Sequence, residues 1–171
     1  RVRNATPGAA RAPGGTAVGP VRAPLSTSDF ASYMLQAQAS KAQILGLANA
    51  GGDTVNSIKA ANEFGVTKTM KLAGLLMFIN DIHSLGLKAT QGMYLTDSWY
   101  WNRDAATRAW SRKFFEKIKR MPSSIQAADY SATLQYRTAV KATGTDDPDK
   151  VLEQLHKTKI NDIFATGGYV R

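Results

Sequence analysis

Apolar runs of strand length alternate with helically spaced apolar positions over the first hundred residues. Residues 43–48 (QILGLA) end in Asn49, two glycines and Asp53; Asp53 opens a stretch in which Val55, Ile58, Ala61 and Asn62 recur at helical spacing as far as Phe64-Gly65. This pattern predicts a buried strand that hands its carboxyl end to a helix, with Gly65 suited to the left-handed residue after the helix. Upstream, residues 16–21 read as a short strand broken by Gly19-Pro20. Residues 24–29 (PLSTSD) supply helix-start chemistry, and Phe30, Met34, Ala37 and Lys41 then share a helical stripe that Leu35 widens. Downstream, residues 71–78 carry the run LAGLLMF without alternation, which suits a strand covered on both faces. Asn80 or Asp81 caps a short helix through Leu85 to Lys88, and residues 93–101 (MYLTDSWYW) form a third strand candidate. Strand and helix alternating with short connections predict βαβ units, an α/β fold with a parallel sheet flanked by helices.

The second half changes character. Helices are expected over residues 104–120, 123–143 and 148–158. Ala106, Trp110, Phe114 and Ile118 form one face of the first, and Ile125, Ala128, Ala132, Tyr136 and Val140 one face of the second. A short strand at Ile163 and Phe164 precedes a turn at Thr166-Gly167-Gly168, and the sequence then stops in mid-element. Residues 1–15 hold two prolines, three glycines and four alanines without periodicity, and read as a loose tail.

Composition narrows the class. Of the 171 residues, 43% are hydrophobic and 20% charged, a globular balance, and no apolar run approaches the roughly 20 residues that a spanning helix needs. Cysteine is absent, which removes disulfides, thiolate metal sites and cysteine nucleophiles. The chain opens Arg1-Val2-Arg3-Asn4 with no apolar core of a leader, so no signal peptide is visible in it. A net charge of +9 steers toward anions, but the lysines and arginines are spread over positions where helices face water. Only Arg112 to Arg120 is dense, and there Phe114, Phe115 and Ile118 sit at core spacing.

The candidate chemistry is sparse. Gly51-Gly52-Asp53 can present backbone N–H groups and a helix N-terminus to a ligand; equally, Asp53 can simply cap its helix while the glycines permit the turn. There is no GxGxxG or GxxxxGK[ST] spacing for nucleotide binding. His83 lies two residues after Asp81, which on a helix do not face each other, and His156 has no acidic residue four positions away, so no metal site is expected. Ser98 and Ser131 lack the G-x-S-x-G context of a nucleophile elbow. Trp99, Tyr100 and Trp101 pack a core or junction, or wall a pocket for a planar ligand. Tyr130, near the start of its helix, is the better ligand neighbour, because a phenol both stacks and donates.

Taken in order, residues 21–65 (VRAPLSTSDFASYMLQAQASKAQILGLANAGGDTVNSIKAANEFG), 72–101 (LAGLLMFINDIHSLGLKATQGMYLTDSWYW) and 107–147 (TRAWSRKFFEKIKRMPSSIQAADYSATLQYRTAVKATGTDD) resemble the type I periplasmic solute-binding proteins of ABC transporters, in the leucine/isoleucine/valine-binding group. The resemblance runs from about Gly15 to Arg171 and fails before it. It implies two α/β lobes joined by crossing strands that close on a ligand by hinge bending. Residues 15–92 would form the second lobe, 93–103 a hinge-crossing strand, and 104–171 helices returning to the first lobe plus the start of a return strand, after a tail at 1–14. The first lobe's own sheet is expected to lie outside this sequence, making the chain an incomplete copy.

By position, the resemblance implies ligand contacts at Asn49, Gly51 and Asp53 after one strand, at Phe78 and Asp81 after the next, and at Tyr130. Asn49 and Phe78 lean toward a planar ligand, Asp53 or Asp81 toward an α-ammonium. The implied function is the non-enzymatic substrate-binding component of an ABC importer. It would take a branched-chain amino acid or an aromatic carboxylate, with the membrane permease as partner, a periplasmic location, and no cofactor, metal, nucleic acid or membrane insertion. A ligand-sensing domain of the same fold in a regulator or receptor is the alternative. A small α/β hydrolase and a basic nucleic-acid-binding protein are weaker rivals.

Overall fold

The run at residues 43–48 forms strand β1, Ile44–Leu47, in a computed structural model of the chain that describes residues 14–171. β1 pairs in parallel with β2, Lys71–Gly74, and β2 pairs in parallel with β3, Tyr94–Leu95. Around this sheet lie α1 (Ala31–Ala39), α2 (Gly51–Glu63), a 3-10 turn (Val66–Lys68), α3 (Ile79–Leu85) and α4 (Leu87–Thr90). The stripe read from the sequence is the core: Phe30, Met34 and Ala37 of the first helical segment cluster with Leu47, Ile58 and Leu72. Gly65 takes the left-handed conformation after α2, at φ 69°, where a residue with a Cβ would be strained. The chain divides into two units at Thr96/Asp97, and these elements make up the first.

Several strand expectations are corrected. Residues 16–21 form no strand, because Gly19 sits at φ 140° and Pro20 has no N–H to give a ladder. The run at 71–78 leaves the sheet after Gly74, and Leu75 and Leu76 are exposed rather than covered. The cause is Met77, which folds back and is buried. A Cβ on Gly74 would lie 3.0 Å from Cβ and 3.1 Å from the sulfur of Met77, closer than side-chain contacts ordinarily come, so Met77 would have to shift to admit it. The third strand shrinks to two residues, because Asp97 turns the chain by accepting the Ser98 N–H at 2.8 Å. The helix after β2 is broken at Gly86 into α3 and α4. The expected tail at residues 1–13 lies outside the described residues.

The second unit follows its capping chemistry closely. α5 (Ala105–Ile118) starts at Asp104, whose carboxylate accepts the Thr107 N–H at 2.8 Å while the Asp104 N–H donates to Thr107 Oγ1 at 3.0 Å. α6 (Ser124–Thr143) starts at Ser123, whose N–H reaches Gln126 Oε1 at 2.7 Å, and α7 (Pro148–Lys157) starts with Pro148 after Asp147. The buried faces, however, are not those expected. α5 buries Thr107 and Ser111, and α6 buries Ser124, Ala127, Ser131 and Ala139, while Ile118, Ile125 and Tyr136 are exposed. Small side chains let helices approach closely; the larger Ile118, Ile125 and Tyr136 stay about half exposed, while Trp110 stacks between Phe114 and Tyr130.

Ile163 and Phe164 are a turn, not a strand; it joins β4 (Ile160–Asn161) to antiparallel β5 (Thr166–Gly168). Asp162 makes that turn. Its carboxylate accepts the N–H of Phe164 at 2.8 Å and of Ala165 at 3.1 Å, and also the Ser131 hydroxyl at 2.6 Å and the Gln135 amide at 3.1 Å. Buried Trp99 adds an indole N–H to Ile163 O at 2.7 Å and stands edge-on to Trp110, with ring centroids 5.7 Å apart.

Two outcomes are expected. Gly74→Ala pushes Met77 off its seat and costs about 1–3 kcal/mol of stability, read by urea denaturation; an unchanged midpoint would refute the close-approach argument. For Asp162, burial alone would raise the carboxyl pKa, but the hydrogen bonds from Ser131, Ala165, Phe164 and Gln135 outweigh it and hold it below the usual aspartate value. The unfolded chain therefore binds that proton more readily. The stabilisation is whole above an unfolded pKa of ~3.9 and is lost as pH falls through the lower folded value. Asp162→Asn is expected to flatten the loss of stability below about pH 4 relative to the parent chain; parallel pH profiles would rule the contribution out.

Candidate functional site

In the first unit the parallel register pairs Leu47 with Gly74, so the loops leaving β1 and β2 emerge side by side at the carboxyl end of the sheet. This edge is where open α/β sheets place ligands. Asn49, Gly51 and Asp53 follow one strand; Phe78 and Asp81 follow the other. Tyr130 belongs to the second unit, where it is half exposed on α6 with its ring 5.2 Å from that of Trp110.

Asn49 is a brace. Its amide donates to the Asp53 carbonyl at 3.2 Å and to Ser57 Oγ at 3.0 Å, and its side-chain oxygen accepts from Thr54 Oγ1 at 3.1 Å. Thr54 and Ser57 are both buried, so the amide satisfies hydroxyls that have no water to turn to. α2 itself begins at Gly51, with φ 56°, after an extended Ala50; its first residue is thus the glycine, not Asp53. Asp53 lies in the first turn without capping it. Its Oδ2 accepts the backbone N–H of Ser26 at 3.1 Å and so ties the loop before α1 to the start of α2.

At the second loop the residue before the helix is Phe78, not Asn80 or Asp81. Asp81 instead sits three residues in, and its carboxylate accepts the Phe78 N–H at 2.9 Å, the second half of a capping box whose first half Phe78 has no side-chain acceptor to supply. The polar atoms of Asn49, and one oxygen each of Asp53 and Asp81, are thus occupied within the unit.

Sequence reasoning missed the hydroxyl loop. Ser26, Thr27 and Ser28 line an open depression of about 510 Å³ together with Ala50, Asp53 and Asn56. Ser26 takes a left-handed φ of 61°, and Asn56 reaches the Thr27 carbonyl at 3.4 Å. The signal was present as three consecutive hydroxyl residues, Ser26 to Ser28, ahead of the helix, whereas the start of α1 uses the next residue, Asp29, which accepts the Ala31 N–H at 2.8 Å. Among the described residues no group of three His, Asp or Glu is placed to hold a metal ion, and no helix is long and apolar enough to cross a membrane.

Asn49→Ala removes one acceptor and two donated bonds and leaves the Thr54 hydroxyl buried without its partner. A loss of about 1–3 kcal/mol is expected, measured by urea denaturation; a change within a few tenths would show that the brace is dispensable.

Comparison with known proteins gives the site its context. A family model described as periplasmic binding protein matches residues 1–171. The match takes in residues 1–14, where the resemblance had been expected to fail. A solved periplasmic binding protein from Burkholderia mallei is 67% identical, with a TM-score of 0.88 over 94% of this chain and 42% of that one. A branched chain amino acid ABC transporter periplasmic ligand-binding protein from Burkholderia xenovorans is 43% identical, with a TM-score of 0.79 over 94% of this chain and 43% of that one. A leucine binding protein from Thermotoga maritima shares the fold at 18% identity, with a TM-score of 0.71 over 86% of this chain and 42% of that one. No curated protein matches the sequence. The chain spans about two fifths of the length of these solved structures.

Proposed function

This chain belongs to the periplasmic binding protein family, and on that premise we propose that it supplies one ligand-facing lobe of an ABC importer's solute receptor. The observation that carries the reading is the joint opening of the loops after β1 and β2 at one sheet edge, beside a depression lined by hydroxyls and Asp53. In this reading residues 15–92 are the second lobe, 93–103 the hinge-crossing strand, and 104–171 the helices that return to the first lobe. The receptor works in the periplasm and presents its closed, loaded form to the membrane permease.

The solute is a branched-chain amino acid or a related small carboxylate, aromatic acids included. Its chemistry follows from which groups remain open. Asp53 keeps one carboxylate oxygen beyond the Ser26 contact, suited to accept from an α-ammonium, and Phe78 offers an apolar wall. Gly51 lets the loop approach a ligand without a side chain between them. Asn49 and Asp81 act chiefly by position, holding the two loops that carry Gly51, Asp53 and Phe78. Tyr130, half exposed on α6 of the second unit, is assigned as a candidate stacking and donating phenol by itself. Capture and release break no covalent bond, and no residue is assigned a catalytic role. The Burkholderia xenovorans relative, which is described as a branched chain amino acid transporter component, supports this class of ligand.

The test is a chimera in which this chain replaces the matching segment of the Burkholderia mallei protein. Titration calorimetry with leucine, isoleucine, valine and 4-hydroxycinnamate is expected to show micromolar binding of at least one ligand by the chimera. Binding by the 171-residue chain alone is expected to be weaker by ~100-fold or more, about 2.7 kcal/mol. Asp53→Asn in the chimera is expected to weaken an amino-acid ligand by roughly tenfold. Micromolar affinity in the 171-residue chain alone would overturn the one-lobe reading; a folded chimera that binds none of the four would overturn the assigned solute class.

A further inference from the structure

The dense basic run of the sequence, Arg112 to Arg120, has no part in the site described above. It forms the last turns of α5 and the two residues that follow them. Arg112, Lys113, Lys117, Lys119 and Arg120 are all exposed, and Glu116 is the one acid among them. The two ion pairs of the described residues, Arg103 with Asp104 and Lys157 with Glu153, use none of the five. A cation in the last turn of a helix balances the helix dipole, which accounts for Lys117. Arg112 and Lys113 lie further back, outside the reach of that effect. The excess is also local, since α7 sets Asp149 and Glu153 against Lys150 and Lys157.

The apolar residues within the run do not all enter a core. Phe114 packs beside Trp110, with ring centroids 5.6 Å apart, but Phe115 is 43% and Ile118 50% exposed. Three residues apart, these two are neighbours on the helix surface; Arg112 stands one turn before Phe115 and Lys119 one turn after it. Two large apolar side chains are thus held at the surface with cations around them.

We infer that this end of α5 rests on an anionic lipid bilayer, with its cations on headgroup phosphates and with Phe115 and Ile118 reaching toward the acyl boundary. Charge complementarity sets the class of partner: five cations outside any ion pair attract a polyanion, and they repel a second copy of a chain that carries +9. The apolar pair chooses among polyanions. Nucleic acid would hold the cations and leave Ile118 in water, whereas headgroups over acyl chains accept both kinds of group. The contact is peripheral. Only charge and exposure on α5 enter, so failure here leaves the assignment of a solute untouched.

The test is flotation of the 171-residue chain with vesicles of equal parts phosphatidylglycerol and phosphatidylethanolamine, against vesicles of phosphatidylcholine. Binding to the anionic vesicles is expected to be at least about tenfold tighter, and to fall away in 1 M salt, where the screening length is about 3 Å. Lys113→Glu with Lys117→Glu is expected to weaken it by about tenfold or more. Lys141→Glu with Lys150→Glu, the same change in net charge at exposed positions on α6 and α7, leaves it nearly intact. Phe115→Ser with Ile118→Ser is expected to weaken vesicle binding while binding to oligothymidylate, a soluble polyanion, stays as in the parent chain. Circular dichroism checks that each variant keeps its helices. Equal binding to both kinds of vesicle, no binding to either, equal losses in the two charge-reversal variants, or oligothymidylate bound more tightly than the anionic vesicles would overturn the inference.

Discussion

The side-chain amide of Asn49 joins the end of β1 to the first turn of α2, and the arrangement of the sheet's carboxyl edge depends on that joint. Parallel pairing alone sets where β1 and β2 stop; it does not set the direction in which the following loops leave. Asn49 removes that freedom by bonding to Asp53, Thr54 and Ser57 at once, across one turn of helix. With the turn held, Asp53 is placed to take the Ser26 N–H, and the hydroxyl loop follows. Each of these contacts is modest in isolation, about 1 kcal/mol. Their effect is geometric: the buried hydroxyls of Thr54 and Ser57 both meet the Asn49 amide, and Ser57 also donates to the carbonyls of Asp53 and Thr54, so the turn is held from several directions.

What was legible in the sequence was what is decided locally. The second-unit helices begin at Asp104, Ser123 and Pro148 as their capping patterns predict, because a cap is a contract between residues three apart. Gly65 and the stripe of Phe30, Met34 and Ala37 were legible for the same reason. Strand ends were not. Whether residues 75–78 continue β2 depends on Met77 finding the space above Gly74, and hydrophobicity does not record that. Within the candidate site, Asn49, Gly51 and Asp53 were visible because they follow one another along the chain. Ser26 is 27 residues from Asp53 and arrives through a backbone N–H, which leaves no side-chain signature.

Helix faces failed for a different reason. Periodicity finds an apolar stripe and assumes that the largest residues mark the buried side. In α5 and α6 the buried side is instead the one with the smallest, Thr107 and Ser111 or Ala127, Ser131 and Ala139. Close helix approach selects small side chains, and bulky ones then project toward whatever forms the next layer.

The two units therefore rest on different physics. The first has a contiguous aliphatic and aromatic cluster, from Phe30 through Ile58 to Leu72 and Met77, whose burial stabilises it without directional demands. The second buries many hydroxyls and is fastened by directional bonds: Trp99 and Arg103 to the carbonyls of the turn, and Asp162 to Ser131 and Gln135. Ser111 Oγ is buried there with no partner, a cost that a purely apolar face would not carry. Directional fastening fixes one arrangement of helix and hairpin, but it adds little net free energy per bond.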